Sequence, residues 1–439
     1  MWRMYLKQVR YQLKENKLFS LVYILGTALS IAMVMMIIIW LYVNTGNIGV
    51  VDKRDRMLYF TRSYIVKVNK DLSKGKFGNN FRASFPVSTN LLEKYMYPLQ
   101  TPEAKSIVGC YSCTVYNPQK HRYEKMNDIY TDAAFWKIFS MRFISGVSFN
   151  DTDVKSKAMK VVIDETTAYK LFGKTDVINY PVQIDWKEYR ICGVVEDVPS
   201  YLKEAYAHIW LPYTSGNSYI LQSGDFSDLP DVVGGMHMYI LSHDISDQRE
   251  IRQEMEHQIQ KLNAPAKDVQ FFLNHQPDTA LEYLFRDGSG HYEMIYDKMK
   301  MVLIVLLVLL ILPALNLSGL IVARMRKRAE EIAVRRAFGA STGNILMQIL
   351  IENFIQMLIG GIIGICLSYG LFQAFREMLL TSALNTESYE ISTLSFWHII
   401  NFSTLGCVVF LCFLLNMIST LVPAWYYSRI SIVNALNKK

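Results

Sequence analysis

Four stretches of this chain, 19–43, 299–323, 345–372 and 398–425, are almost free of charge, and each is about 25 residues long. A helix rises about 1.5 Å per residue, so about 20 apolar residues cross the ~30 Å hydrocarbon core of a bilayer. The pattern predicts four transmembrane helices. Composition agrees: 51% of the 439 residues are hydrophobic and 19% charged, against roughly 25% charged in an ordinary soluble protein. Disorder, collagen-like repeats, a small disulfide scaffold and a wholly soluble enzyme are excluded. The first stretch has the basic start of a signal peptide, but Phe19–Val43 is longer than a usual signal core. A polar Asn44-Thr45-Gly46-Asn47 follows it in place of a small-x-small cleavage site, so it reads as a retained span.

Basic residues near helix ends mark the cytoplasmic side. Arg3, Lys7, Arg10, Lys14 and Lys17 precede span one, and Arg429, Lys438 and Lys439 follow span four. Between spans two and three lie Arg324, Arg326, Lys327, Arg328, Arg335 and Arg336, whereas 373–397 holds Arg376 as its one basic residue. Both termini and the 324–344 loop are therefore placed in the cytoplasm, with 44–298 and 373–397 outside. The net charge of +7 divides accordingly: the inside segments hold fourteen basic and three acidic residues, leaving the rest acidic by four. The basic charge sits where anionic headgroups attract it, and gives no argument for nucleic acid. Within 1–18, Trp2, Leu6, Val9 and Leu13 recur at helical spacing beside a basic stripe, which suits an amphipathic helix on membrane lipid.

The 255 residues of 44–298 can bury a core of their own. β-rich runs occur at Met57–Val68, Ile107–Tyr116, Ala158–Asp164, Val182–Asp185, Tyr189–Val195 and His237–Leu241. Ile251, Met255, Ile259 and Leu262 mark one face of a helix over about 247–263, with Ser246 as its N-cap, and Val269–Leu273 follows as a strand. Strand, helix, strand suggests a β-α-β element in an α+β domain. Stretches 71–80 and 214–236 read as loops or a boundary between subdomains, and the many aromatics as core and sheet packing.

No catalytic, cofactor-binding or metal constellation emerges. Ala168–Thr175 fits a loose P-loop pattern, but the helix over about Glu165–Leu171 precedes the glycine, which makes Gly173 a helix stop. Cys110-x-x-Cys113 is either a short external disulfide or two packing cysteines. In the cytoplasmic loop, Glu331 is spaced i,i+3 from Arg328 and i,i+4 from Arg335, and Gly339 ends the helix. Ser341 or Thr342 can cap the next one. A rigid charged helix joining two spans is a lever for a cytoplasmic partner. In the membrane, Gly26-x-x-x-Ser30 and Gly360-x-x-x-Gly364, continued by Ser368, permit close helix approach, either between copies or within one chain. Glu352, about two turns into span three, reads as structural.

The loop, Arg328-x-x-Glu331-Ile332-x-x-Arg335-Arg336-Ala337-x-Gly339-Ala340, resembles the signature of the FtsX-like/MacB-like permease superfamily, the type VII ABC transporters. Glu352, Gly360-Gly361-x-x-Gly364, Pro423-Ala424 and Asn434-Ala435-Leu436 continue the likeness. Outside the membrane, so do Asp132-x-x-Phe135-x-x-x-Phe139, Gly146, Val161-Val162-Ile163, Leu171-Phe172-Gly173 and Tyr189-x-Ile191-x-Gly193-Val194-Val195-x-Asp197-Val198-Pro199. Ser431-Ile432-Val433 departs from it, since many relatives carry a Pro there.

The resemblance implies an α-helical membrane protein of four spans with a large α+β extracytoplasmic domain inserted between helices 1 and 2, and a permease region at 299–436. It implies residence in the cell inner membrane as a homodimer or paralogous heterodimer, and a separate cytoplasmic ABC ATPase that binds the ATP, so that this chain is no enzyme and needs no cofactor. Arg328, Glu331, Ile332, Arg335, Arg336, Phe338 and Gly339 would form the coupling helix on that ATPase. The implied mechanism is mechanotransmission to the external domain, for efflux or extraction of a peptide, small molecule or lipoprotein. Whether a periplasmic adaptor joins is left open. The competing reading is a membrane-anchored sensor or a regulator of cell-envelope hydrolases; a neighbouring ATPase gene favours the first and a lone kinase gene the second.

Overall fold

The computed structural model describes residues 17–67, 82–216, 223–286, 292–327 and 341–380, and single positions 334, 338, 339, 406, 410, 413, 414, 417, 421 and 425. The chain divides into two compact units, one of Met1–Tyr42, Lys300–Thr386 and Thr393–Lys439, the other of Val43–Met299 with Glu387–Ser392. The labelled helices are α1 (Lys17–Thr45), α2 (Glu165–Phe172), α3 (Gln248–Asn263), α4 (Ala280–Phe285), α5 (Glu293–Lys327) and α6 (Thr342–Leu380).

Among the described residues, two helices are long and apolar enough to cross a membrane, Ser20–Thr45 within α1 and Gly343–Phe375 within α6. The expected second span lies inside α5. Of the expected fourth, the described positions between 406 and 425 are each helical, and the remainder, like residues 1–16, lies outside the described residues. Leu18, Leu21, Leu25 and Leu29 of α1 and Met301, Leu303, Ile304 and Leu307 of α5 are all exposed. Apolar surface of that extent suits lipid and not water.

The second unit is a mixed α+β domain. Its strands are β1 (Met57–Phe60), β2 (Ser63–Lys67), β3 (Arg82–Phe85), β4 (Ala104–Asn117), β5 (Arg122–Thr131), β6 (Phe143–Gly146) and β7 (Lys160–Asp164). They continue with β8 (Pro181–Ile184), β9 (Lys187–Val195), β10 (Ile209–Pro212), β11 (Gly224–Phe226), β12 (Leu229–Val233), β13 (His237–Leu241) and β14 (Val269–Phe272). Nine of them form one sheet in the order β1-β13-β4-β5-β10-β7-β9-β6, with β8 paired to β4 and β9. Only β5/β10 and β7/β9 run parallel in it. A three-stranded sheet, β14-β2-β3, and the β11-β12 hairpin complete the domain. Trp210, Tyr130, Phe60, Phe135, Phe139 and Phe149 are almost fully buried, so the aromatic excess goes largely into the core.

Several sequence expectations need correction. The run from Met57 breaks at Thr61-Arg62, sending β1 and β2 into different sheets. Gln276 staples that break: its Oε1 accepts from the backbone N–H groups of Thr61 (2.9 Å) and Arg62 (3.2 Å), and its Nε2 donates to the Arg62 carbonyl (2.7 Å). For the same reason β13, α3 and β14 follow in order but form no β-α-β unit, since β14 pairs with β2. The stretch 214–236, expected as loop, contains the β11-β12 hairpin; 71–80 lies outside the described residues. A 3₁₀ turn, Ile245–Asp247, leads into α3, and its cap is Asp244 in a reciprocal capping box with Asp247, in place of Ser246.

Candidate functional site

The sequence-predicted coupling segment is described at three positions. The N–H of Phe338 donates to the Val334 carbonyl at 3.1 Å, a helical bond, and Gly339 then takes φ +90°, a left-handed stop. Ser341 accepts from the Asn344 N–H at 3.2 Å and so caps α6. Phe338 is 89% exposed and Val334 47% exposed. Two apolar side chains one turn apart thus stand in solvent beside a helix stop. Arg328, Glu331, Ile332, Arg335 and Arg336 lie outside the described residues.

In the membrane unit, α6 carries a buried row at four-residue spacing: Glu352, Gln356, Gly360, Gly364 and Ser368. The two glycines face α1 of the same chain. A Cβ at Gly364 would lie 2.7 Å from the Ala28 carbonyl oxygen and 3.0 Å from Ile31 Cβ, and one at Gly360 would collide with the Thr27 hydroxyl. The close approach is therefore intramolecular. Gly26 has nothing within 4 Å of an added Cβ, and the Ser30 hydroxyl donates back to the Gly26 carbonyl at 2.6 Å within α1. Glu352 is 2% exposed and accepts from Gln348 Nε2 at 3.1 Å, one turn earlier on its own helix. Phe413, in the expected fourth span, meets Phe354 of α6 edge-on at 5.3 Å.

Two arginines, Arg54 buried and Arg286 half-buried, mark where the chain enters and leaves the α+β domain. After α1 the chain folds back through the tight Ile48–Val51 turn into a 3₁₀ turn, Arg54–Arg56. Asn47 and Asp55 close this loop with two hydrogen bonds of 3.0 and 3.1 Å. Arg54, 1% exposed, is thereby returned to the helix it has just followed. Its Nη1 donates to the carbonyls of Val43 (3.0 Å) and Gly46 (2.8 Å), and its Nη2 to Glu204 Oε2 at 3.0 Å. The last carbonyls of a helix have no partner within it and carry partial negative charge, so a cation there caps it. Burial opposes the charge of Arg54, but Glu204 more than offsets it and the guanidinium is held charged. Losing one partner of such a pair costs about 3–5 kcal/mol.

At the other end, Arg286 follows α4 and grips Asp278 with Nε and Nη2. It also donates to the Asn274 carbonyl (3.1 Å) and the Tyr64 hydroxyl (3.2 Å). Asp278 in turn exchanges two backbone bonds of 2.8 Å with Tyr59 of β1, whose ring stacks on Tyr283 at 4.6 Å. Both crossings are thus anchored around β1. The sequence did not mark these four residues: Lys53-Arg54-Asp55-Arg56 reads as an ordinary charged turn, and Glu204 lies 150 positions away.

An open groove of about 540 Å³ runs between α3 and the turn after β14, lined by Arg249, Arg252, Glu256, Phe272 and His275 among others. Arg252 is engaged by Glu282 at 2.7 Å, and the His275 ring stacks on Tyr292 at 4.0 Å. Its charges are mixed, with no single-sign field to select a ligand. The P-loop-like segment is a capped helix: Asp164 accepts from the Thr167 N–H at 2.8 Å, and Gly173 ends α2 at φ +73°. Cys110 and Cys113 are free thiols on the continuous strand β4, three residues apart and so on opposite faces, which removes the disulfide reading. Among the described residues, no group of three or more His, Cys, Asp or Glu side chains could hold a metal ion.

A mixed α+β domain between apolar helices long enough to cross a membrane defines a membrane-tethered protein. The sequence matches the MacB-like periplasmic core domain over residues 20–258 and the FtsX-like permease C-terminal region over 303–432. The chain belongs to this FtsX-like/MacB-like permease family. Among relatives, it is 23% identical over 246 residues to the macrolide export ATP-binding/permease protein MacB of Neisseria gonorrhoeae, covering 56% of this chain and 35% of that one. Against MacB of Burkholderia cenocepacia the identity is 24% over 270 residues, covering 60% and 37%. The match thus spans little more than a third of the length of these curated relatives. Among solved structures, the periplasmic region of MacB from Actinobacillus actinomycetemcomitans aligns with TM-score 0.33 and 12% identity, over 48% of this chain and 88% of that one. A permease domain from Porphyromonas gingivalis aligns with TM-score 0.34 and 17% identity, over 52% and 91%.

Proposed function

We propose that this chain is the transmembrane subunit of a type VII ABC transporter. Its ATPase is a separate cytoplasmic chain, and ATP-driven closure of that partner displaces the loop between α5 and α6. The spans, four in this reading with both termini inside, carry the displacement to the extracytoplasmic domain, which performs efflux or extraction of a peptide, small molecule or lipoprotein. A second permease copy or paralogue completes the assembly, and residence is in the inner membrane.

The observation that supports ATPase docking is the solvent-exposed Val334–Phe338 pair, ended by the Gly339 stop. An isolated Glu331–Arg335 pair would stabilise a helix by only about 0.2–0.5 kcal/mol, so local pairing alone gives no reason for Val334 and Phe338 to stand in water. A partner groove does, because it would bury Phe338 and supply partners for the charges. Full-length protein purified from its native membranes is expected to bring one ABC ATPase with it, and Phe338→Ala to lose most of that ATPase at equal expression. Recovery of the chain with no ATPase under conditions that retain other membrane complexes would contradict the reading.

A further inference from the structure

The aromatic side chains of the α+β domain mostly enter its core, but two near the tips of neighbouring hairpins, β4–β5 and β8–β9, stand in solvent. Trp186 is 70% exposed and Tyr123, on β5, is 46% exposed. Their ring centroids lie 6.1 Å apart at an interplanar angle of 37°. Tyr116, the cross-strand partner of Tyr123 in the β4–β5 register, supports the phenol ring at 5.3 Å. Trp186 is placed against its backbone preference. It is the second residue of the two-residue turn between β8 and β9, where Asp185 has φ +45° and Trp186 φ +64°. Such turns favour Asn-Gly, since left-handed backbone costs a residue with a side chain about 1–2 kcal/mol. The turn is fastened to β4: the Asp185 N–H donates to the Thr114 carbonyl at 2.9 Å, and Asp185 Oδ1 accepts from the Thr114 N–H at 2.8 Å. Beside the rings, Gln183 Oε1 accepts from the Tyr123 hydroxyl at 3.3 Å, which leaves its Nε2 as a donor at the rim.

The surroundings of the two rings narrow what could lie on them. Among the described residues of β4, β5, β8, β9 and the β8–β9 turn, Tyr123 and Trp186 are the only large hydrophobic side chains exposed. A protein partner would bury roughly 800 Å² on each side around an apolar core, and two rings without aliphatic neighbours do not supply one. Stacked nucleobases would bring phosphates to a chain that is net acidic apart from the basic segments flanking its spans. A sugar meets both conditions: the C–H face of a pyranose lies flat on an aromatic ring, and its hydroxyls take the amide and the phenol at the rim. Two rings set side by side suit a chain whose successive sugars keep flat faces, which is the β-linked, equatorial geometry. We infer that Trp186 and Tyr123 form a binding platform for an extended β-linked oligosaccharide, with Gln183 as its hydrogen-bonding rim. The platform belongs to the α+β domain alone and is tested without the ATPase.

The probes are tetra-N-acetylchitotetraose and cellotetraose, titrated calorimetrically into full-length protein in nanodiscs free of sugar-headed detergent. Maltotetraose, α-linked and curved, is the control. At least one β-linked probe should bind about tenfold more tightly than maltotetraose. Tyr123→Ala should weaken that binding about tenfold, and Trp186→Phe, which keeps a ring, should retain most of it. Trp186→Gly separates binding from structure: it should lose the sugar and yet raise the melting temperature, because glycine suits φ +64°. Three results would each overturn the inference: no binding of either β-linked probe by the wild type, equal affinity for maltotetraose, or unchanged affinity in Trp186→Gly. Lost binding with a lower melting temperature in Trp186→Gly would also overturn it, by marking the ring as structural. So would a photo-crosslinking residue at position 186 that captures one protein of defined mass while neither β-linked probe binds, which would assign the rings to a protein contact.

Discussion

Asp128 lies on β5 at 2% exposure, with no hydrogen-bond donor within reach of its Oδ1 among the described residues. Burial first, and then the charge of Asp185, push its carboxyl from the ordinary 3.8 up to about 7. Cys113, Tyr130 and Tyr189 share this cluster. Because the folded chain holds the proton more tightly than the unfolded one, the group favours folding fully below about pH 4, and that contribution is lost as pH rises through 7. At most it amounts to about 4 kcal/mol. Asp128→Asn should therefore flatten the fall in thermal stability between pH 4 and 8; an unchanged slope in full-length protein would show that the carboxylate ionises in the fold without cost. Gln356 poses the same question inside the membrane unit: it is fully buried, and neither amide atom meets a partner among the described residues. A buried orphan amide costs about 1–3 kcal/mol, so Gln356→Met should raise the melting temperature in detergent. A drop would reveal a partner that the amide serves. Neither residue was legible in the sequence, since nothing local distinguishes a buried Asp or Gln from a solvated one.

At the scale of elements, α1 and α6 meet where α6 has no side chains to keep them apart. Gly364→Ala should cost about 1–3 kcal/mol, because the intruding methyl meets backbone at Ala28 and cannot be accommodated by a rotamer change. Gly26→Ala should be neutral or gain up to about 1 kcal/mol, since its surroundings are open and alanine favours the helix. Comparing the two melting temperatures separates them, and equal effects would contradict the packing. The small-x-x-x-small pattern named both positions, yet it carries no information about which face a neighbour covers. Elements with strong local patterns were legible: the α3 stripe, the β9 alternation and the Gly173 stop all lie where periodicity and capping put them. β5, β10 and the β11-β12 hairpin were not. Arg122–Thr131 is polar for its first half because only its second half is buried, and the four residues of β10 are too short for any period to show. The side-chain staple at Gln276, which splits β1 from β2, joins positions more than 200 apart.

Across the whole molecule, the placement of charge predicts that 44–298 lies outside and the loop near Lys327 inside. A single Cys near Asn150, in a background without the native cysteines, should react with an impermeant thiol reagent in spheroplasts, and one near Lys327 should not; reversed labelling would contradict the orientation. The membership of a permease family was legible because its motifs are local, whereas the ion pair of Arg54 with Glu204 was not, since its partners lie 150 positions apart. In the proposed assembly, a cytoplasmic motor drives this chain through the loop between α5 and α6. Its most direct test is ATP turnover by the complex copurified from native membranes and placed in nanodiscs, with wild-type chain and with Glu331→Arg. The variant should insert and keep its external fold but lose the ATPase or its stimulated turnover, because the introduced guanidinium would add like charge near Arg328 and Arg335. Full retention of the ATPase with unchanged turnover, at equal expression, would contradict it.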